Sequence, residues 1–174
     1  LALGQGASTG VSSVALGYNA AAIGSSSVAL GHNAIATEDY SVGLGYYAWA
    51  TGQTSVALGY NASAEGNYST ALGRDALAGD SSTALGHDAS ATGHASVALG
   101  YNASAEGNYS VALGRDASAE NANEGILGGT GSSQTSTWKV PGTFIVNGGK
   151  NFEIPHPKPE KKATHVIRHG AVES

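Results

Sequence analysis

The 174 residues contain no cysteine and no methionine, and only four prolines, two tryptophans and two phenylalanines. Without cysteine there is no disulfide framework, no thiolate metal centre and no cysteine nucleophile. Every proline lies at or after Pro141, and the 26 glycines do not recur at every third position, so a collagen-type triple helix is excluded. Basic residues number 8 against 13 acidic ones, a net charge of −5, which argues against a nucleic-acid surface. No apolar run has the length of a membrane span, so no direct membrane insertion is predicted, and no signal peptide opens the sequence. The opening "LALG" falls in mid-pattern, which predicts a fragment of something longer. The apolar fraction of 41% is mainly alanine, valine and leucine. Such small side chains are weak material for a conventional isolated core.

What is present is a repeat. Variants of "SVALG" place leucine at 3, 16, 30, 44, 58, 72, 85, 99, 113 and 127, at intervals of 13 or 14 residues. Alanine stands four residues after each of the first nine leucines, a second small residue usually two further on, and glycine usually at plus-eight. The two 13-residue units lack one residue just before that glycine, which confines the length variation to one turn. Fourteen residues are too few for two packed helices, and two glycines per unit oppose a long one. Segments such as Ser13–Leu16 and Ala62–Ala64 alternate at the period of a strand. Glycines at plus-one and plus-eight mark two corners. The pattern predicts an all-β solenoid of flattened coils, each strand pairing in parallel with its copy one repeat away. About nine coils at roughly 4.8 Å each make a rod on the order of 45 Å long.

The alternation defines two strand faces. One carries Val14, Leu16, Val28, Leu30, Val42, Leu44, Val56, Leu58, Leu72, Leu85, Val97, Leu99, Val111 and Leu113; the other carries Ser13, Ala15 and their equivalents. The second strand offers alanine and serine to the coil interior. If the Val/Leu stripe fills the roll, the rod is self-sufficient. If it faces outward, it must be buried against other chains. The thinness of the roll favours homo-oligomerisation with closed symmetry.

The unit "SVALG-x-x-A-x-A-x-G" over residues 1 to about 128 resembles the head repeat of the YadA-like trimeric autotransporter adhesins of Gram-negative bacterial surfaces. That resemblance implies a left-handed parallel β-roll, a homotrimer, and an extracellular position anchored to the outer membrane through regions not present here. The same repeat is borrowed in phage and viral fibres. Glu38 and Asn121 stand where the corner glycine is expected, and Gly43 replaces the usual alanine. Asparagine tolerates a left-handed corner, and Glu38 implies an altered turn.

The composition changes after Leu127. Residues 129–174 hold 6 basic against 3 acidic residues, whereas residues 1–128 hold 2 against 10. The reading is a β-roll over 1–128, a linker or neck over 129–137, and a small β-rich connector or tip over 138–174. Strands are predicted at Trp138–Val140, Thr143–Val146, Asn151–Ile154 and Ala163–Ile167. The stretch beginning "GGKNFEIPHPKPEKK" resembles a segment near the C-termini of bacterial and phage fibre proteins.

Candidate sites are few. His156, His165 and His169, near Glu153, Glu160 and Glu173, lack metal-ligand spacing, so no metal and no cofactor are predicted. Two residues after the repeat leucine runs a column of Tyr18, His32, Tyr46, Tyr60, Arg74, His87, Tyr101 and Arg115. It is the candidate ligand-facing column, gripping a glycan or a host or prey surface protein by stacking and hydrogen bonds, against the plainer reading of an exposed edge. Tyr40, Tyr68 and Tyr109 form a second column, covering a turn edge or packing between subunits. Trp49 is expected to point outward, because Ala48 and Ala50 take the small-residue face. Asp75 and Asp116 read as surface partners of Arg74 and Arg115. The sequons at Asn61, Asn67, Asn102 and Asn108 read as by-products of turn composition. No nucleophile–base pair is recognisable, so the prediction is no enzyme. The leading expectation is a trimeric adhesive fibre segment with a rigid, multivalent surface. The alternative is a structural spacer of a phage or viral tail fibre, with recognition in the C-terminal or missing domains.

Overall fold

A computed structural model describes residues 1–129 together with the backbone of 153–155 and 166–168. The chain divides into two compact units, 1–136 and 137–174. In the first, ten short strands from Ala2–Leu3 to Gly125–Leu127 form one parallel sheet, and nine from Ser8–Thr9 to Ser118–Ala119 form a second. Each strand pairs with its copy in the next coil, so Leu16, Leu30 and Leu44 stand in register, as do Ala22, Ala36 and Ala50. The first unit is a parallel β-solenoid. The 13-residue units keep this register, pairing Leu72 with Leu85 and Ala78 with Ala91. In the second unit Glu153–Pro155 and Val166–Arg168 pair antiparallel, and the other strand expectations for that region lie outside the described residues.

The interior is made of the smallest side chains. Ala15, Ala20 and Ala22 and their equivalents are fully buried down the stack. The serine three residues before each leucine from Leu16 to Leu113 is buried with them, and most of these hydroxyls donate to the carbonyl three residues earlier, as Ser55 does to Gly52 at 2.6 Å. The expectation that the second strand turns serine inward is corrected here. Ser63, Ser90 and Ser104 lie half-buried on its outer side, and the interior serines precede the first strand. Gly43 leaves the coil intact, standing in register between Ala29 and Ala57.

The corners also differ from the sequence reading. Glycine at plus-one has positive φ, +147° at Gly59. Glycine at plus-eight does not; there it allows close approach, since a methyl on the Gly52 backbone would fall 1.9 Å from the Gly66 carbonyl oxygen. Glu38 and Asn121 therefore do not sit in a left-handed corner. The left-handed residues are those at plus-three, such as Asn19, Asn33 and Asp75, and at minus-four, such as Ser26, Tyr40 and Tyr68. Asparagine and aspartate suit that conformation; tyrosine does not.

Candidate binding surface

With alanine and serine inside, the alternation of the first strand turns valine and leucine outward. Val28, Leu30, Val42, Leu44, Leu72, Val111 and Leu113 are half-buried, as are Val14, Val56 and Val97. Leu16, Leu58, Leu85 and Leu99 are 41–49% exposed. The stripe is unbroken from Leu3 to Leu127 save for the threonines at 70 and 83 and Gly125. On the outer side of the second sheet, Trp49 is exposed between Ile35 and Ser63.

The plus-two column lies at the corner that follows the first sheet. All its members are exposed except His87, which is half-buried. Because one coil follows the next at about the spacing of paired strands, equivalent rings are brought face to face. Tyr18 stacks on His32 and His32 on Tyr46 at 5.0 Å, and Tyr46 on Tyr60 at 5.2 Å. The Arg74 guanidinium closes this run 5.8 Å over the Tyr60 ring. His87, Tyr101 and Arg115 repeat the arrangement at 5.2 and 5.5 Å. Within each run the rings stack on one another, so ring edges, hydroxyls and guanidinium groups make up much of the exposed column. The period was visible in the sequence; the mutual stacking needed the coil spacing.

Beside this column runs a ladder that sequence reasoning missed, although asparagine and aspartate recurring at plus-three were its signal. Asn61 Nδ2 donates to Asp75 Oδ1 at 2.9 Å, and Asn102 Nδ2 to Asp116 Oδ1 at 3.0 Å. Arg74 Nε donates to Asp75 Oδ2 at 3.0 Å, and Arg115 pairs with Asp116 at 3.2 Å. The hydrogen bond from Asn61 is the main reason that the Asp75 carboxyl is held below its usual range, with Arg74 adding to it. Asp75, His87 and Asp88 bring three potential metal-ligand atoms within 4.8 Å. Both oxygens of Asp75 are already taken, however, by Asn61 and Arg74. The histidine cluster at 156, 165 and 169 lies outside the described residues.

At the opposite corner the minus-four tyrosines stand apart. Tyr40, Tyr68 and Tyr109 are 59–62% exposed. The residue preceding each carries a cross-coil bond. Asp39 Oδ1 accepts from the Ser25 amide at 2.8 Å, and Asn67 and Asn108 accept from the Gln53 and His94 amides at 2.9 Å. Tyr109 is also stacked on His94 at 5.6 Å.

No curated protein matches the chain. Among solved structures, it is similar to the collagen-binding domain of the Yersinia adhesin YadA, with 25% identity and a TM-score of 0.53, over 80% of this chain and 71% of that one. The YadA head domain repeat matches residues 1–20, 8–34, 22–48, 50–76, 78–103, 91–117 and 105–123. This chain belongs to the YadA head-repeat family.

Proposed function

We propose that three copies of this chain associate along the Val/Leu face of the first sheet into a left-handed trimeric rod with a multivalent adhesive surface. The coarser role, a rigid β-solenoid of the adhesin or fibre type without catalysis, follows from family membership and the likeness to YadA. The finer reading is carried by one observation. An apolar stripe runs the length of the stack on the outside of a unit whose interior is already full of alanine and serine. A patch of that extent on a soluble surface marks an interface. Burying the exposed half of each leucine contributes about 1 kcal/mol, and the contribution recurs with every coil. Identical, parallel repeats align these gains around a closed three-fold axis.

In this reading residues 1–128 are the rod, 129–137 a neck, and 138–174 a connector or tip. The rod stands outside a Gram-negative outer membrane, held by regions beyond this sequence. Its outward corners meet a glycan or a surface protein, and weak contacts repeated on three chains combine into avidity. Since the Yersinia neighbour is a collagen-binding domain, an extended matrix polymer belongs among the ligands tested.

Sedimentation equilibrium tests the assembly. Wild type is expected at three times 17.2 kDa, and Leu58→Asp or Leu99→Asp, each placing a carboxylate on the stripe, is expected to dissociate it. A wild-type monomer would overturn the reading.

A further inference from the structure

The two corners of the coil use their aromatic residues differently. At plus-two the rings cover one another. At minus-four Tyr40 and Tyr68 are 61% and 62% exposed, and among the described residues neither is stacked on another ring. Both have left-handed backbones, with φ of +60° and +56°. Bulky residues rarely adopt that conformation. Ser26, Thr54, Ser81 and Ala95 occupy the same position in other coils at nearly the same φ, so the turn itself needs no ring. A large, mostly exposed side chain held in an uncommon conformation points to binding.

The surroundings give that binding a chemistry. Because Asn67 Oδ1 accepts from the Gln53 amide, Asn67 Nδ2 is left as a donor in a fixed orientation. Because Asp39 Oδ1 accepts from Ser25, Asp39 Oδ2 is left as an acceptor. Gln53 and Thr54 lie on the rung between. Two coils separate the tyrosines, about 10 Å along the stack.

We infer that Tyr40 and Tyr68, with Asp39, Gln53 and Asn67, form a subsite for a neutral glycan. A pyranose lays its C–H face on a phenol ring, and its hydroxyls meet the carboxylate and the amides. Glu38 and Asp39, in a unit carrying 10 acidic and 2 basic residues over 1–128, disfavour sulfated or carboxylated sugars. A proline-rich chain also stacks on tyrosine, but it offers few donors for Asp39. The inference rests on the adhesive-rod reading and assigns its ligand class.

The probe is chitotetraose, followed by saturation-transfer difference NMR with irradiation of the tyrosine ring protons, and by titration. Wild type is expected to transfer saturation to the sugar ring C–H protons. The double variant Tyr40→Ser/Tyr68→Ser carries the residue native to neighbouring coils. It is expected to bind at least ten-fold more weakly at unchanged sedimentation mass. Tyr109→Ser, where His94 already covers one face, is expected to change binding less than three-fold. Absence of transfer, undiminished binding by the double variant, or equal binding of a heparin tetrasaccharide overturns the inference. So does a fall in mass of the double variant, which makes the tyrosines subunit contacts. A trimer that ignores the sugar defeats this inference alone, and a monomer that binds it defeats only the trimer.

Discussion

Replacing Gly59 by alanine tests how closely the coils are stacked. Gly59 has φ of +147°, and a methyl built there would lie 2.2 Å from the Gly73 carbonyl oxygen and 2.7 Å from its carbon. Ordinary contact distances require the neighbouring coil to move away by roughly 1 Å. Two backbone bonds hold that coil at this corner, from the Gly73 amide to Leu58 O and from the Asp75 amide to Tyr60 O, both 2.9 Å. Lengthening each by that much removes it as a hydrogen bond, at about 1 kcal/mol apiece. A non-glycine residue at this φ costs about 1–3 kcal/mol more. The sum is about 3–5 kcal/mol, a large share of the stability of an ordinary domain. Urea unfolding followed by far-UV circular dichroism reads it as a lowered midpoint. Gly125→Ala is the control, because a methyl there meets nothing within 4 Å. Restricting the unfolded chain makes that change neutral or stabilising by about 0.4–1 kcal/mol. If Gly59→Ala unfolded together with Gly125→Ala, the close-stacking argument would be refuted.

The interior serines make a second comparison. Ser55→Ala removes the 2.6 Å bond to the Gly52 carbonyl and is expected to cost about 1–2 kcal/mol. Ser110 Oγ is buried without a hydrogen-bond partner, so Ser110→Ala is expected to be neutral or stabilising in the same urea assay; equal losses for both would refute the distinction. A third prediction concerns pH. The Asp75 carboxyl is depressed chiefly by the hydrogen bond from Asn61, so folding favours its ionised form. That contribution is complete above the ordinary carboxylate range and is lost as pH falls through the depressed value. Asn61→Ala is expected to raise the Asp75 midpoint in a carboxyl-carbon NMR titration, and an unmoved midpoint would show that the hydrogen bond does not set it.

Much of the rod was legible because one coil is nearly a copy of the next. Leucines 13 or 14 residues apart, with alanine four residues on, leave parallel in-register pairing as the arrangement that uses every repeat alike. The corner glycines were legible as positions but not as causes. A methyl would meet the next coil's backbone at Gly59 and at Gly52 alike, and only Gly59 also has a positive φ. The plus-two column was legible by residue type and period. That its rings stack on one another while Tyr40 and Tyr68 do not depends on whether adjacent rungs both carry rings, and on how far apart the rungs are.

The scarcity of cysteine, early proline and bulky side chains, taken with the period, determined a thin parallel solenoid from sequence alone, because backbone pairing between like coils requires nothing else. Which face of the first strand turns inward was decided only by the tertiary structure. Alternation separates valine and leucine from serine and alanine without ranking them. The facing alanines of the second strand, and the short corners that join the two sheets, leave room inside for a methyl or a hydroxymethyl group and put the larger side chains outside.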